Sequence, residues 1–178
     1  MKLLRTIRLD PSDTFVFERA AEPGEWAVGG TFVFWEDDAE ALAGKRRSAF
    51  RSGFLGVGSL GWSTLVQIVD ADEDDRKSVV EMLAQRLVEN FGAPDLAAAR
   101  KAAEEEVSFA ESLCDHPQDT LVAIHRTFED GAIREAFRTL RPRGGPKPLR
   151  AFAFLETDGE EELVEDVDLT ALAKENRK

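Results

Sequence analysis

Apolar and polar positions alternate along the first third of the chain, and the period then changes. In residues 3–9, Leu3, Arg5, Ile7 and Leu9 share one side while Leu4, Thr6 and Arg8 share the other, the two-residue period of a β-strand. The turn formers of DPSD separate this run from a second predicted strand at 14–19, TFVFER. A third is predicted at 26–35, WAVGGTFVFW, bulged at Gly29 and Gly30. Its Thr, Val, Phe and Trp residues suit a pleated, half-buried surface. EDDAEALAGKRRSAF predicts a short helix capped by Asp37 or Asp38, with Gly44 working against it. Residues 63–72 predict a further strand.

The helical period follows. Val80, Leu83, Leu87 and Phe91 form one apolar stripe, with Asp72, Asp74 and Asp75 at its N-terminal end and Gly92 as its stop. Leu96, Ala99, Ala103, Val107, Ala110 and Leu113 form a second, which ends near Cys114 and His116-Pro117. Two amphipathic helices with so short a link predict an αα-hairpin, its outer face carrying Glu104, Glu105, Glu106 and Glu111. Alternation returns in 120–128 and 132–140 around Asp130-Gly131, a hairpin signature, with a helix over 133–140 as the competing reading. PRGGPKP reads as a loop, 150–156 as a last strand, and DLTALAKENRK as a short helix capped by Asp168. The sum is one α+β domain over 1–155, a mostly antiparallel sheet with an amphipathic αα-hairpin packed on one face, then an acidic C-terminal segment at 156–178.

At 178 residues, 43% hydrophobic and 33% charged, the chain can build one sizeable core. Its apolar runs are far too short to cross a bilayer, and Arg5, Arg8 and Asp10 interrupt any signal-peptide stretch. Cys114 is the single cysteine, so no intramolecular disulfide forms and a reduced, cytoplasmic protein without membrane association is expected. A net charge of −12 makes nucleic acid an unlikely partner. The charge is arranged in blocks. Residues 41–69 hold no acid but carry Lys45, Arg46, Arg47 and Arg51, and 136–155 are likewise basic. DADEDD and the run 156–168 are purely acidic. Blocks of opposite sign imply self-complementarity, within one copy or between copies.

Candidate chemistry is sparse. GVGSLG (Gly56, Gly58, Gly61) matches the G-x-G-x-x-G pattern of dinucleotide sites, but it precedes a strand where the phosphate needs a helix N-terminus, so it reads as an irregular glycine connection. Cys114, Asp115 and His116 supply nucleophile, acid and base types, yet consecutive side chains diverge, and a buried helix-end cysteine explains them as well. His125 with His116 is a weak metal signal, and DADEDD lacks a calcium-loop pattern. The best ligand candidate is KRRSAFRSGF with the glycines after it: Lys45, Arg46, Arg47, Arg51, Gly56 and Gly58 could hold a phosphate or carboxylate. The arginines could instead meet DADEDD or the acidic tail, and Trp26, Trp35 and Trp62 are expected in the core.

The opening LLRTIRLDPSDTFVFERAAEPGEWAVGGTFVFW resembles the start of a family of small bacterial proteins with no assigned function. The resemblance covers the first fifth of the chain and carries no catalytic motif. It implies a bacterial, cytosolic setting and nothing about activity. With no catalytic residues, metal or cofactor indicated, the chain reads as a non-enzymatic protein acting through protein contacts, as a homo-oligomer or an accessory factor. The alternative is a binder of, or enzyme acting on, a small anionic ligand at the basic glycine-rich loop.

Overall fold

Strand β1 (Lys2–Ile7) pairs antiparallel with β2 (Trp26–Val28) on one side and β5 (Leu65–Asp70) on the other, so the N-terminal strand lies inside the sheet. The computed structural model describes residues 1–142 and 154–156. Among them the sheet runs β4 (Trp62–Ser63), β3 (Phe54–Gly56), β2, β1, β5, β6 (Leu121–Glu129), β7 (Ala132–Pro142), β8 (Phe154–Glu156), with every pairing antiparallel. Leu4 stands opposite Ile68, and Val66 opposite Val122, laying one buried apolar row across β1, β5 and β6. In a flat sheet β3 and β6, four strand steps apart, would be separated by about 19 Å. Arg126 of β6 nevertheless donates to the carbonyl of Gly53 beside β3. The sheet is therefore strongly curled.

Helices α3 (Glu73–Asn90) and α4 (Leu96–Ser112) form the expected αα-hairpin, and α4 lies on β1 and β2. Val79, Val80, Leu83, Ala84 and Leu87 are buried on α3, and Ala99, Ala103, Val107 and Ala110 on α4. Small residues along α4 let it approach its neighbours closely, as dense packing requires. Asp72 accepts a hydrogen bond from the Asp75 N–H, and the Asp75 carboxylate accepts one from the Asp72 N–H. This reciprocal cap assigns part of DADEDD to starting a helix. Asp95 caps α4 through the Ala98 N–H.

Several local expectations are corrected. Residues 14–19 are not a strand: a short helix α1 (Asp13–Val16) stands there, because the buried Asp13 carboxylate is pinned by the Thr64 N–H and hydroxyl. The strand predicted over 26–35 stops at Val28. Gly30, at φ 81°, turns the chain into a 3-10 helix (Thr31–Phe34), and a Cβ there would stand 2.6 Å from Leu55 Cβ. Helix α2 (Gly44–Ser52) has Ala43 at its N-cap, so neither Asp37 nor Asp38 caps it. The strand predicted at 63–72 divides into β4 and β5. Residues 133–140 are strand, and Asp130 (φ 52°) and Gly131 (φ 76°) make the two-residue turn that the Asp-Gly pair predicts. Of the strand predicted at 150–156, β8 is the described part. Residues 143–153 and 157–178, including the acidic segment and the Asp168 cap, lie outside the described residues.

Trp62 is in the core, stacked on Phe34 with ring centroids 5.2 Å apart. Trp26 is half-buried beneath the Arg5 guanidinium. Trp35 is not a core residue: it is 75% exposed, because the 3-10 turn directs Phe34 inward and leaves its neighbour outside.

Candidate functional site

The most concentrated chemistry lies around Arg126. On β6, Val122, Ile124 and Arg126 alternate onto one buried side, so an arginine continues an apolar row. Its side chain is 0% exposed. Nε donates to Thr31 Oγ1 at 2.7 Å and to Glu135 Oε1 at 3.2 Å. Nη1 donates to the carbonyls of Gly53 at 2.8 Å and Phe50 at 3.0 Å, and Nη2 to that of Gly29. Thr31 in turn donates to Glu135. Burial pulls the Arg126 pKa down, against the pull of Glu135 and Glu106. The carbonyls of Ala49, Phe50 and Gly53 form the negative end of α2, a favourable place for a cation.

Glu106 of α4 adjoins this group. Burial pushes its carboxyl above the usual range, and Glu135 adds to that, while the Gly30 N–H and Arg126 oppose it. Its Oε2 is buried without a hydrogen-bond partner. Arg126 binds its own chain through all three nitrogens, so the cluster ties β6, α2 and the 3-10 turn together. Sequence reading missed it. The available signal was a charged residue at the inward position of an alternating strand, which only a known strand register turns into a buried arginine.

The proposed basic site separates into two places. Arg46 pairs with Asp37 at 2.6 Å, donates to the Val33 carbonyl and lies over the Phe34 ring at 5.1 Å, so among the described residues its carboxylate partner is Asp37 and not DADEDD. Lys45, Arg47 and Arg51 are exposed on α2. Gly56 and Gly58 instead surround a carboxylate of the same chain. Glu25 accepts from the Ser59 N–H and the Ser59 hydroxyl, each at 2.8 Å, and a Cβ at Gly56 would stand 2.4 Å from its Oε1. The glycine loop does cradle an anion, and that anion is Glu25.

Cys114 is buried, its thiol donating to the Ala110 carbonyl, and burial pushes its pKa up to about 12. A thiol held protonated in this way is no nucleophile at neutral pH. The His116 carbonyl accepts from the Lys2 ammonium, and His125 on β6 stands opposite Ala136. Among the described residues no three His, Cys, Asp or Glu side chains gather as metal ligands, and no helix is long and apolar enough to cross a membrane.

On the outside, the 3-10 turn presents aromatic surface. Phe32 meets Trp35 edge-on at 6.5 Å and Phe91 at 5.2 Å, so the end of α3 and this turn share one patch. Phe91, expected in the helix stripe, is exposed there. A family model matches residues 1–158, described as a family of unknown function, DUF6505. The chain belongs to DUF6505. The N-terminal resemblance therefore extends across the sheet and both long helices, and DUF6505 membership adds no activity to the geometry. No curated protein and no solved structure matches the chain.

Proposed function

We propose that this member of DUF6505 acts through protein contacts in the cytosol, without catalysis of its own, and that the aromatic patch of Phe32, Trp35 and Phe91 is the contacting surface. One observation carries the reading: Trp35 stands 75% exposed with its ring edge-on to Phe32. An exposed tryptophan offers large apolar contact area with few rotatable bonds, and aromatics are enriched at interface centres. The Arg126 group, held by its own chain through all three nitrogens, supports a stabilising role for the most concentrated buried charge. The test places a photo-crosslinking amino acid at position 35 in cells, with the exposed Lys77 position as control. A discrete adduct at 35 and none at 77 is expected; irradiation without an adduct at 35 refutes the reading.

A second reading, a small anion bound at the start of α2, draws support from that helix's first turn. It carries Lys45, Arg46 and Arg47, has no acid, and no side chain caps it. Calorimetric titration with inorganic phosphate, repeated on Lys45→Gln/Arg47→Gln/Arg51→Gln, tests it: binding that the triple variant abolishes would support this reading, and no heat would end it.

A further inference from the structure

Resting on the protein-contact reading above, we infer that the partner at the aromatic patch is a second copy of this chain, docked about a two-fold axis beside Trp35. The charge around the patch selects this occupant. Immediately after Trp35 come Glu36, Asp38 and Glu40, all exposed. Helix α2 presents Lys45, Arg47 and Arg51, also exposed, with Arg47 and Arg51 one helical turn apart on the same face. Arg46 locks these halves to one turn through Asp37, the Val33 carbonyl and the Phe34 ring. The acids after Trp35 and the bases of α2 thus form an acidic border and a basic border tied to one turn.

Among the described residues, no ion pair within the chain uses any of these six side chains, whereas Arg46 and Asp37, their neighbours in sequence, are paired with each other. A partner of one sign would satisfy one border and be repelled by the other. A two-fold axis sets the acids of each copy on the bases of the other, twice, and brings the two Trp35 rings into the desolvated centre. The aromatic centre supplies affinity and the borders fix orientation.

The test uses the full chain in light scattering and native mass spectrometry at about 100 µM, a concentration at which even a weak interface is occupied. The wild type is expected at twice the 19.7 kDa chain mass. Trp35→Asp is expected at 19.7 kDa with an unchanged circular dichroism spectrum, since the side chain is 75% exposed and lies outside the core. Lys45→Glu/Arg47→Glu/Arg51→Glu makes both borders acidic, and Glu36→Lys/Asp38→Lys/Glu40→Lys makes both basic. Each is expected as a monomer alone, and their equimolar mixture as a heterodimer. A monomeric wild type, a dimer indifferent to Trp35→Asp, or a mixture that fails to associate overturns the inference. Mass analysis of the position-35 crosslink separates the two levels. A two-copy adduct supports the self-partner, an adduct of any other mass overturns it while protein contact stands, and no adduct overturns both.

Discussion

Replacing Arg126 by methionine should be among the most destabilising single changes available to this fold. Methionine fills much of the volume but returns none of the hydrogen bonds. The carbonyls of Gly29, Phe50 and Gly53 lose their donor, and Glu135 keeps its charge beside Glu106 without a counter-ion. Breaking a buried ion pair from one side costs about 3–5 kcal/mol, of the roughly 5–15 kcal/mol that holds a domain folded. At about 2–4 °C per kcal/mol for a chain of this size, Tm should fall by about 6–20 °C. Arg126→Lys keeps the charge but cannot reach Thr31, α2 and Gly29 together, so it should lie nearer methionine than wild type. Adding Glu135→Gln to Arg126→Met should recover part of the loss, because it removes the stranded charge. The assay is thermal unfolding by circular dichroism at one protein concentration. A methionine variant within about 2 °C of wild type, or a lysine variant equal to it, would refute the clamp.

Three further outcomes are expected. Glu106 has a folded pKa raised above its unfolded value of about 4.3, so the protonated form suits the fold, and the stability it contributes is lost as pH rises through the folded pKa. Glu106→Gln should therefore unfold at a higher temperature than wild type near pH 7, the gap closing toward about pH 4; an equal gap at both would count against it. In the glycine loop, Gly61→Ala drives a Cβ to 2.5 Å from the Ala20 carbonyl oxygen and should cost about 3 kcal/mol, while Gly58→Ala meets nothing closer than 3.4 Å and should cost under about 1 kcal/mol. Equal denaturant midpoints for the pair would show that the loop is not packed as described. The Cys114 thiol, pushed up to about 12, should resist a thiol reagent near pH 8 in the native protein and react on unfolding; fast labelling of native protein would contradict its burial.

The regular parts of the fold were legible because their pattern and their packing agree. The α3 and α4 stripes follow from period, and the hairpin from alternation together with its Asp-Gly turn, each lying against a neighbour that rewards the pattern. The first third misled where single side chains override pattern. Asp13 bonds to Thr64, fifty-one positions away, and so holds α1 where alternation predicts a strand. Gly30 ends β2 because Leu55 occupies the space of its missing side chain, a contact set by sheet register. Trp35 followed composition into the core and the 3-10 turn led it out. The basic run on α2 was legible as charge, while the Arg126 cluster was not, because its partners are drawn from four separate segments that the sequence does not align.

The curl that brings β6 against α2 also orders events during synthesis. Arg126 reaches back 97 positions to Gly29, 95 to Thr31 and 73 to Gly53. Until the ribosome has passed β6, the last turn of α2 and the end of β2 have inward carbonyls and no donor to meet them, and β5 lacks the strand that pairs with its second edge. The N-terminal half is thus a body of short strands and short helices that must remain incomplete while the αα-hairpin, whose contacts are local, can already form. The contacts that join these segments wait on β6 and its single guanidinium.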